Sequence, residues 1–175
     1  NNDILINENV LNEDGTLNTA NTSTFIQWEP IGEPTHIVDL EDSSNFIEIG
    51  DTRAFKGILD GQNYNIVGIY IKRELVCNQS LVSQNQGTIK NIRMKDGYIY
   101  SSGKFISGIA SMNSGIIENC YNATSIESSL VGLRVAGIVA YNSGIIEGCY
   151  NDGFIKGLNN LLFFFILCYN HNIGE

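Results

Sequence analysis

Residues 83–92 (Ser-Gln-Asn-Gln-Gly-Thr-Ile-Lys-Asn-Ile), 111–120 (Ser-Met-Asn-Ser-Gly-Ile-Ile-Glu-Asn-Cys) and 140–149 (Ala-Tyr-Asn-Ser-Gly-Ile-Ile-Glu-Gly-Cys) are copies of one unit. Their asparagines, Asn85, Asn113 and Asn142, followed by Asn170, stand 28, 29 and 28 residues apart. A period of this length marks a solenoid, in which each copy is too small to bury its own apolar face and becomes stable only by stacking on its neighbours. Within each copy the apolar residues are mostly β-branched, and Gly or Asn recurs every few positions. That pattern reads as short strands joined by turns, not as helices. The fold expected is therefore all-β, a parallel β-helix with rungs of about 28 residues.

Stacking such rungs places like residues above like at about the 4.8 Å spacing of a sheet, so every recurring position becomes a column. Two columns are expected inside: Ile89, Ile117 and Ile146, and Ile109, Ile138 and Ile166. The neighbouring column, Lys90, Glu118 and Glu147, is expected outside as a solubilising edge pattern. The Asn85, Asn113, Asn142 and Asn170 column is read as structural rather than ligand-binding, its amides hydrogen-bonding along the axis. Two residues later come Gly87, Gly115, Gly144 and then Asn172, read as a turn that needs positive φ, where Asn is the usual substitute for Gly.

At 175 residues with 43% apolar content, the chain has the size of one domain and enough apolar surface for a core. Ten Lys and Arg against nineteen Asp and Glu give a net charge of −9, the wrong sign for neutralising phosphates or anionic lipid. Nucleic acid is set aside as a partner. The longest apolar run, residues 161–168, has eight residues, whereas a spanning helix needs roughly twenty, so no membrane insertion is expected.

The organisation expected is a single β-helix domain over residues 1–175: a lead-in rung or cap with a long acidic loop over 1–54, repeat rungs over 55–160, and an incomplete final rung over 161–175. Asp14-Gly15 is a turn, and Phe46-Ile-Glu-Ile49 is a strand inside the acidic loop. The chain begins at Asn1 without Met, so any signal peptide is expected upstream or already removed. The last repeat stops short, so the native chain is expected to run past Glu175 and, if left open there, to self-associate through its last rung beside Phe163, Phe164 and Phe165.

Few residues suggest chemistry. Asp39, Glu41, Asp42, Glu48 and Asp51 supply oxygen for calcium but lack any known ligand spacing, and read as a solvated loop. Asp60-Gly61 offers a carboxylate of the kind β-helix glycosidases line up on one face, yet reads first as a turn. His36 and His171 have no nucleophile beside them. Trp28, Tyr64, Tyr70, Tyr98 and Tyr100 suggest a platform for sugar rings, with core packing and exposed strand aromatics the simpler account. The cysteines, Cys77, Cys120, Cys149 and Cys168, have no zinc or redox spacing. Cys120 and Cys149 share a column, but in-register side chains run parallel and keep their Cβ atoms beyond the usual disulfide distance, so they read as buried free thiols. No catalytic, cofactor-binding or metal-binding residue is assigned.

Residues 106–122 (Ile-Ser-Gly-Ile-Ala-Ser-Met-Asn-Ser-Gly-Ile-Ile-Glu-Asn-Cys-Tyr-Asn) and 135–151 (Val-Ala-Gly-Ile-Val-Ala-Tyr-Asn-Ser-Gly-Ile-Ile-Glu-Gly-Cys-Tyr-Asn) resemble the GLUG repeat of bacterial surface proteins, which include adhesins and the non-catalytic regions of immunoglobulin-A-cleaving metallopeptidases. Trp28-Glu-Pro-Ile-Gly32 and residues 55–71 are similar to the segment that precedes such repeats. Phe165 departs from the pattern, standing where Gly108 and Gly137 stand in the earlier copies. The resemblance implies a right-handed β-helix outside a bacterial cell, with no catalytic residues to carry over. The expected function is a non-catalytic module of a secreted or cell-surface protein, serving adhesion, display or binding to an unknown protein or carbohydrate on a host or neighbouring cell. The alternatives are a polysaccharide-acting β-helix enzyme and a spacer in a large surface peptidase whose catalytic domain lies outside this chain.

Overall fold

The computed structural model describes residues 3–32, 36–38, 46–48, 53–129 and 134–157. Three turns of a parallel β-solenoid begin at Asn65, Arg93 and Tyr121, and each contributes a strand to three sheets. The first sheet stacks Ile4–Leu5, Asn65–Val67, Arg93–Ser101, Tyr121–Glu127 and Tyr150–Asn151, with Tyr70–Arg73 and Ile155–Lys156 joining its second half. The second stacks Val82–Asn85, Ala110–Asn113 and Val139–Asn142. The third stacks Ile58–Asp60, Thr88–Lys90, Ile116–Glu118 and Ile145–Glu147. Ile106–Ser107 pairs with Val135–Ala136 at the corner between the first two. Helix is confined, among the described residues, to one turn at Thr19–Asn21.

The interior columns lie where the repeat places them. Ile89 and Ile117 are fully buried, Ile146 at the upper end is partly buried, and Leu59 extends the column downward. Ile109 and Ile138 are buried on Leu81, while Ile166 lies outside the described residues. Asn85 Nδ2 donates to Asn113 Oδ1 at 2.7 Å, and Asn113 Nδ2 to Asn142 Oδ1 at 2.7 Å, across spacings of 28 and 29 residues. Each Oδ1 also accepts the backbone N–H two residues on, from Gly87, Gly115 and Gly144. The asparagines thus hold the corner within a turn and join one turn to the next. A second ladder on the first sheet runs from Asn122 Nδ2 to Asn151 Oδ1 at 2.8 Å.

The glycines after the first asparagine column are there for a different reason from the one expected. Positive φ is found instead at Asn91 (54°), Asn119 (52°) and Gly148 (60°), where the chain leaves the third sheet. The exchange of Asn for Gly in a left-handed turn is real, but it belongs to that column. At Gly87, Gly115 and Gly144 the constraint is proximity. A Cβ at any of the three would meet the carbonyl oxygen of Gly57, Gly87 or Gly115 in the turn beneath at 2.1 Å. Gly108 and Gly137 likewise leave room for the side chains of Asn122 and Asn151, which approach their ideal Cβ positions to 2.5 and 2.1 Å. The next turn down has Ser80 in place of this glycine and Met94 in place of that asparagine.

The residues before Asn65 form a rung of their own, interrupted twice. Ile4–Leu5 pairs with the strand at Asn65–Val67, Ile31 bridges to Val82, Phe55 bridges to Asn85, and Ile58–Asp60 pairs with Thr88–Lys90. The second interruption contains an antiparallel pair, His36–Val38 with Phe46–Glu48, so the strand expected at Phe46 is present. The first interruption, residues 7–26, is a strap running across the outside of the first sheet. Asn7 closes its neck, donating to Gly68 O at 2.7 Å and to Ile26 O at 3.0 Å while accepting Ile26 N–H at 2.7 Å. One turn up, Asp96 and Gly97 face the single residue Thr124 in a bulge, and Asp96 takes φ 46°. Its carboxylate accepts the N–H groups of Leu11 at 2.9 Å and Val10 at 3.3 Å. Another turn up, Ser125 Oγ donates to Gly15 O at 2.6 Å. A small second core of Val10, Tyr70 and Tyr98, edged by Leu11, Leu17, Phe25 and Tyr100, fills the space beneath.

Candidate functional site

Asp60, the carboxylate singled out for catalysis, closes a strand of the third sheet and begins the outward column Asp60, Lys90, Glu118, Glu147. Its Oδ1 accepts Asn91 Nδ2 and Gln62 N–H, both at 2.9 Å, and Lys90 Nζ stands 3.7 Å from its Oδ2. The Asn91 amide, then the Gln62 N–H and the Lys90 charge, hold the Asp60 carboxyl below the usual aspartate range. A group pinned as its anion serves poorly as a proton donor to a leaving group. The Asp60-Gly61 turn is also real, with Tyr64 N–H closing on Gly61 O at 2.9 Å.

The five aromatics considered as a sugar platform lie in three different settings. Trp28 packs on the main core and donates Nε1–H to Leu81 O at 3.2 Å. Tyr70 and Tyr98 stack at 6.3 Å under the strap, where Tyr98 donates its hydroxyl to Glu127, and burial and that carboxylate raise the phenol's pKa. Tyr100 edges the same cluster and shares a hydrogen bond with Ser129, while Tyr64 is exposed. They form no common surface.

Of the acids weighed for calcium, Glu48 falls in the antiparallel pair, and Asp39, Glu41, Asp42 and Asp51 lie outside the described residues, as do His171, Cys168 and the incomplete rung at 161–175. His36 begins the other strand of that pair. Among the described residues no group of three or more His, Cys, Asp or Glu is placed to hold a metal ion, and no helix is long and apolar enough to cross a membrane. Cys77, Cys120 and Cys149 are buried free thiols, and burial pushes the Cys77 thiol up. Cys120 and Cys149 each direct Sγ at a carbonyl two residues back, Glu118 and Glu147, both at 3.3 Å.

The aromatics that do share a surface are others. Tyr121 and Tyr150 stack at 6.0 Å and 11° on the outside of the first sheet, with the Arg93 guanidinium 5.1 Å from the Tyr121 ring centre. At the corner before the second sheet, Arg134 lies 5.5 Å from the Phe105 ring centre and 5.3 Å from that of Tyr141, and the two rings meet edge to face at 6.0 Å. Tyr141 also walls a cleft of about 160 Å³ where the outward column Gln84, Met112, Tyr141 meets Gln86, Ser114 and Ser143 across the asparagine corner. No family model, curated protein or solved structure matches this chain. Sequence reasoning missed these surfaces because Tyr121, Tyr141 and Tyr150 were read only as parts of repeat copies. Their places one residue before the ladder asparagines Asn122, Asn142 and Asn151, on the opposite face of the strand, were the available signal.

Proposed function

We propose that the chain is a non-catalytic repeat module of a secreted or cell-surface bacterial protein of the GLUG type, serving adhesion, display or binding. The observation that carries this reading is the use made of its repeated polar side chains. Asn85, Asn113 and Asn142, and Asn122 with Asn151, bond to one another from turn to turn, so the positions the repeat preserves are spent on building the stack. Part of the exterior repeats, as Glu118 with Glu147 and Tyr121 with Tyr150 do, but the column Gln84, Met112 and Tyr141 changes at every turn. A scaffold that holds its interior constant while such an outward column varies suits recognition more than a fixed reaction.

One arrangement favours the enzyme alternative. Glu118 and Glu147 are direct register partners, and a retaining glycosidase uses two carboxyl groups about 5 Å apart. Glu147, however, is exposed on an open sheet face. Incubation with neutral and acidic polysaccharides decides between the readings: no reducing ends or unsaturated products are expected. Turnover abolished by Glu118→Gln or Asp60→Asn establishes the enzyme and rejects the module.

A further inference from the structure

We propose that the cleft walled by Tyr141 is a binding site for a neutral sugar ring. Its lining is mixed in the way such a ligand requires: one phenol ring, one thioether, four carboxamides (Gln84, Gln86, Asn85 and Asn113) and two serine hydroxyls, and no charged side chain. The aromatic and Met112 suit the apolar C–H face of a pyranose. Gln84 and Gln86 each offer both donors and an acceptor, and neither amide makes a hydrogen bond within the described residues. Ser114 and Ser143 donate to the carbonyls of Asn85 and Asn113 at 3.3 Å, which leaves their lone pairs to accept from a ligand hydroxyl.

The floor is rigid, because beneath it runs the asparagine ladder, bonded at 2.7 Å between turns and buried at Asn85 and Asn113. The wall is fixed too, since Arg134 and Phe105 support Tyr141 from the side. A preorganised wall and floor reduce the ordering cost that weak sugar binding must overcome. Gln84, Met112 and Tyr141 come from three successive turns, so the cleft exists only in the stacked solenoid.

This inference rests on the binding-module reading and narrows it to a ligand class. Glucose, galactose, N-acetylglucosamine and glucuronate, each added separately at millimolar concentration to the isotope-labelled chain, test it by amide NMR. Saturable shifts confined to residues around Gln84, Gln86, Ser114 and Ser143 with at least one neutral sugar are expected. Tyr141→Ala should weaken binding about tenfold, the scale of one aromatic contact. Gln86→Ala should also weaken it, and Tyr150→Ala should leave it unchanged. Absence of saturable shifts overturns the proposal, as does response to glucuronate alone, which places recognition on Arg134, or shifts centred on Tyr121 and Tyr150. None of these outcomes touches the non-catalytic reading, which product release from polysaccharides decides.

Discussion

Gly115 and Asn119 look alike in the sequence, as turn residues a few positions apart, and the structure separates them. At Gly115 a methyl group would meet Gly87 O at 2.1 Å, so Gly115→Ala is expected to push two turns apart at about 1–3 kcal/mol, the usual cost of overpacking. At Asn119 the backbone is left-handed, so Asn119→Gly should be nearly neutral and Asn119→Ala should cost about 1 kcal/mol. Urea denaturation of the three variants checks this order; a cost at Gly115→Ala no greater than at Asn119→Ala would show that the turn beneath yields easily to the added methyl group. Deleting most of a fully buried side chain gives a second reference: Ile117→Ala is expected to cost about 2–5 kcal/mol, against under about 0.5 for Lys90→Ala at the surface. Local backbone rules foresaw Asn-for-Gly exchange but not where it applies. The contact that excludes Cβ at Gly115 comes from a residue one full turn away, which no local pattern contains.

At the scale of elements, what repeats was legible and what occurs once was not. The strands of the second and third sheets follow from the recurring Asn and Ile, including the outward position of Lys90, Glu118 and Glu147. The membership of Asp60 in that last column escaped notice because Ile58–Asp60 belongs to a rung without the Asn-x-Gly signature. The strap was read only as part of a lead-in rung or cap. Its anchors, Asn7, Asp96 and Ser125, share no motif, and each bonds across the gap to a backbone group, Gly68 O, Leu11 N–H and Gly15 O. Asp96→Ala removes the acceptor of two backbone N–H groups, and hydrogen bonds to a charged acceptor are worth about 1.5–3 kcal/mol each at most. Hydrogen exchange should then accelerate at Val10 and Leu11 while Met94 and Ile117 keep their protection. Unchanged exchange at Val10 and Leu11 would show that the second core alone holds the strap.

For the molecule as a whole, the strap apart, each turn touches only its neighbours, so the stability of the stack is close to a sum of turns and interfaces. Burial falls toward the upper end: Ile117 is fully buried, Ile146 partly so, and Ile145 and Tyr150 are 57% and 53% exposed. Amide protection is therefore expected to be highest near Ile99 and Ile117 and to decline through Ile146 to Ile155, a gradient that native-state hydrogen exchange reads directly. Uniform protection across all turns would show one cooperative unit instead of a stack. The lower end is guarded differently. A parallel stack under tension opens like a zipper, one edge strand at a time, and the force needed is that of a single pairing. Here the chain that leads into the lowest strand, Ile4–Leu5, passes next through the strap, which is fastened to Gly68, Asp96 and Ser125 on three successive turns. A pull from the N-terminal side, once it has peeled that short strand, meets fastenings set crosswise to the seam, as a hem stops a cloth from unravelling, and each must give in turn, first at Gly68, then at Asp96, then at Ser125, before the seam behind them can open.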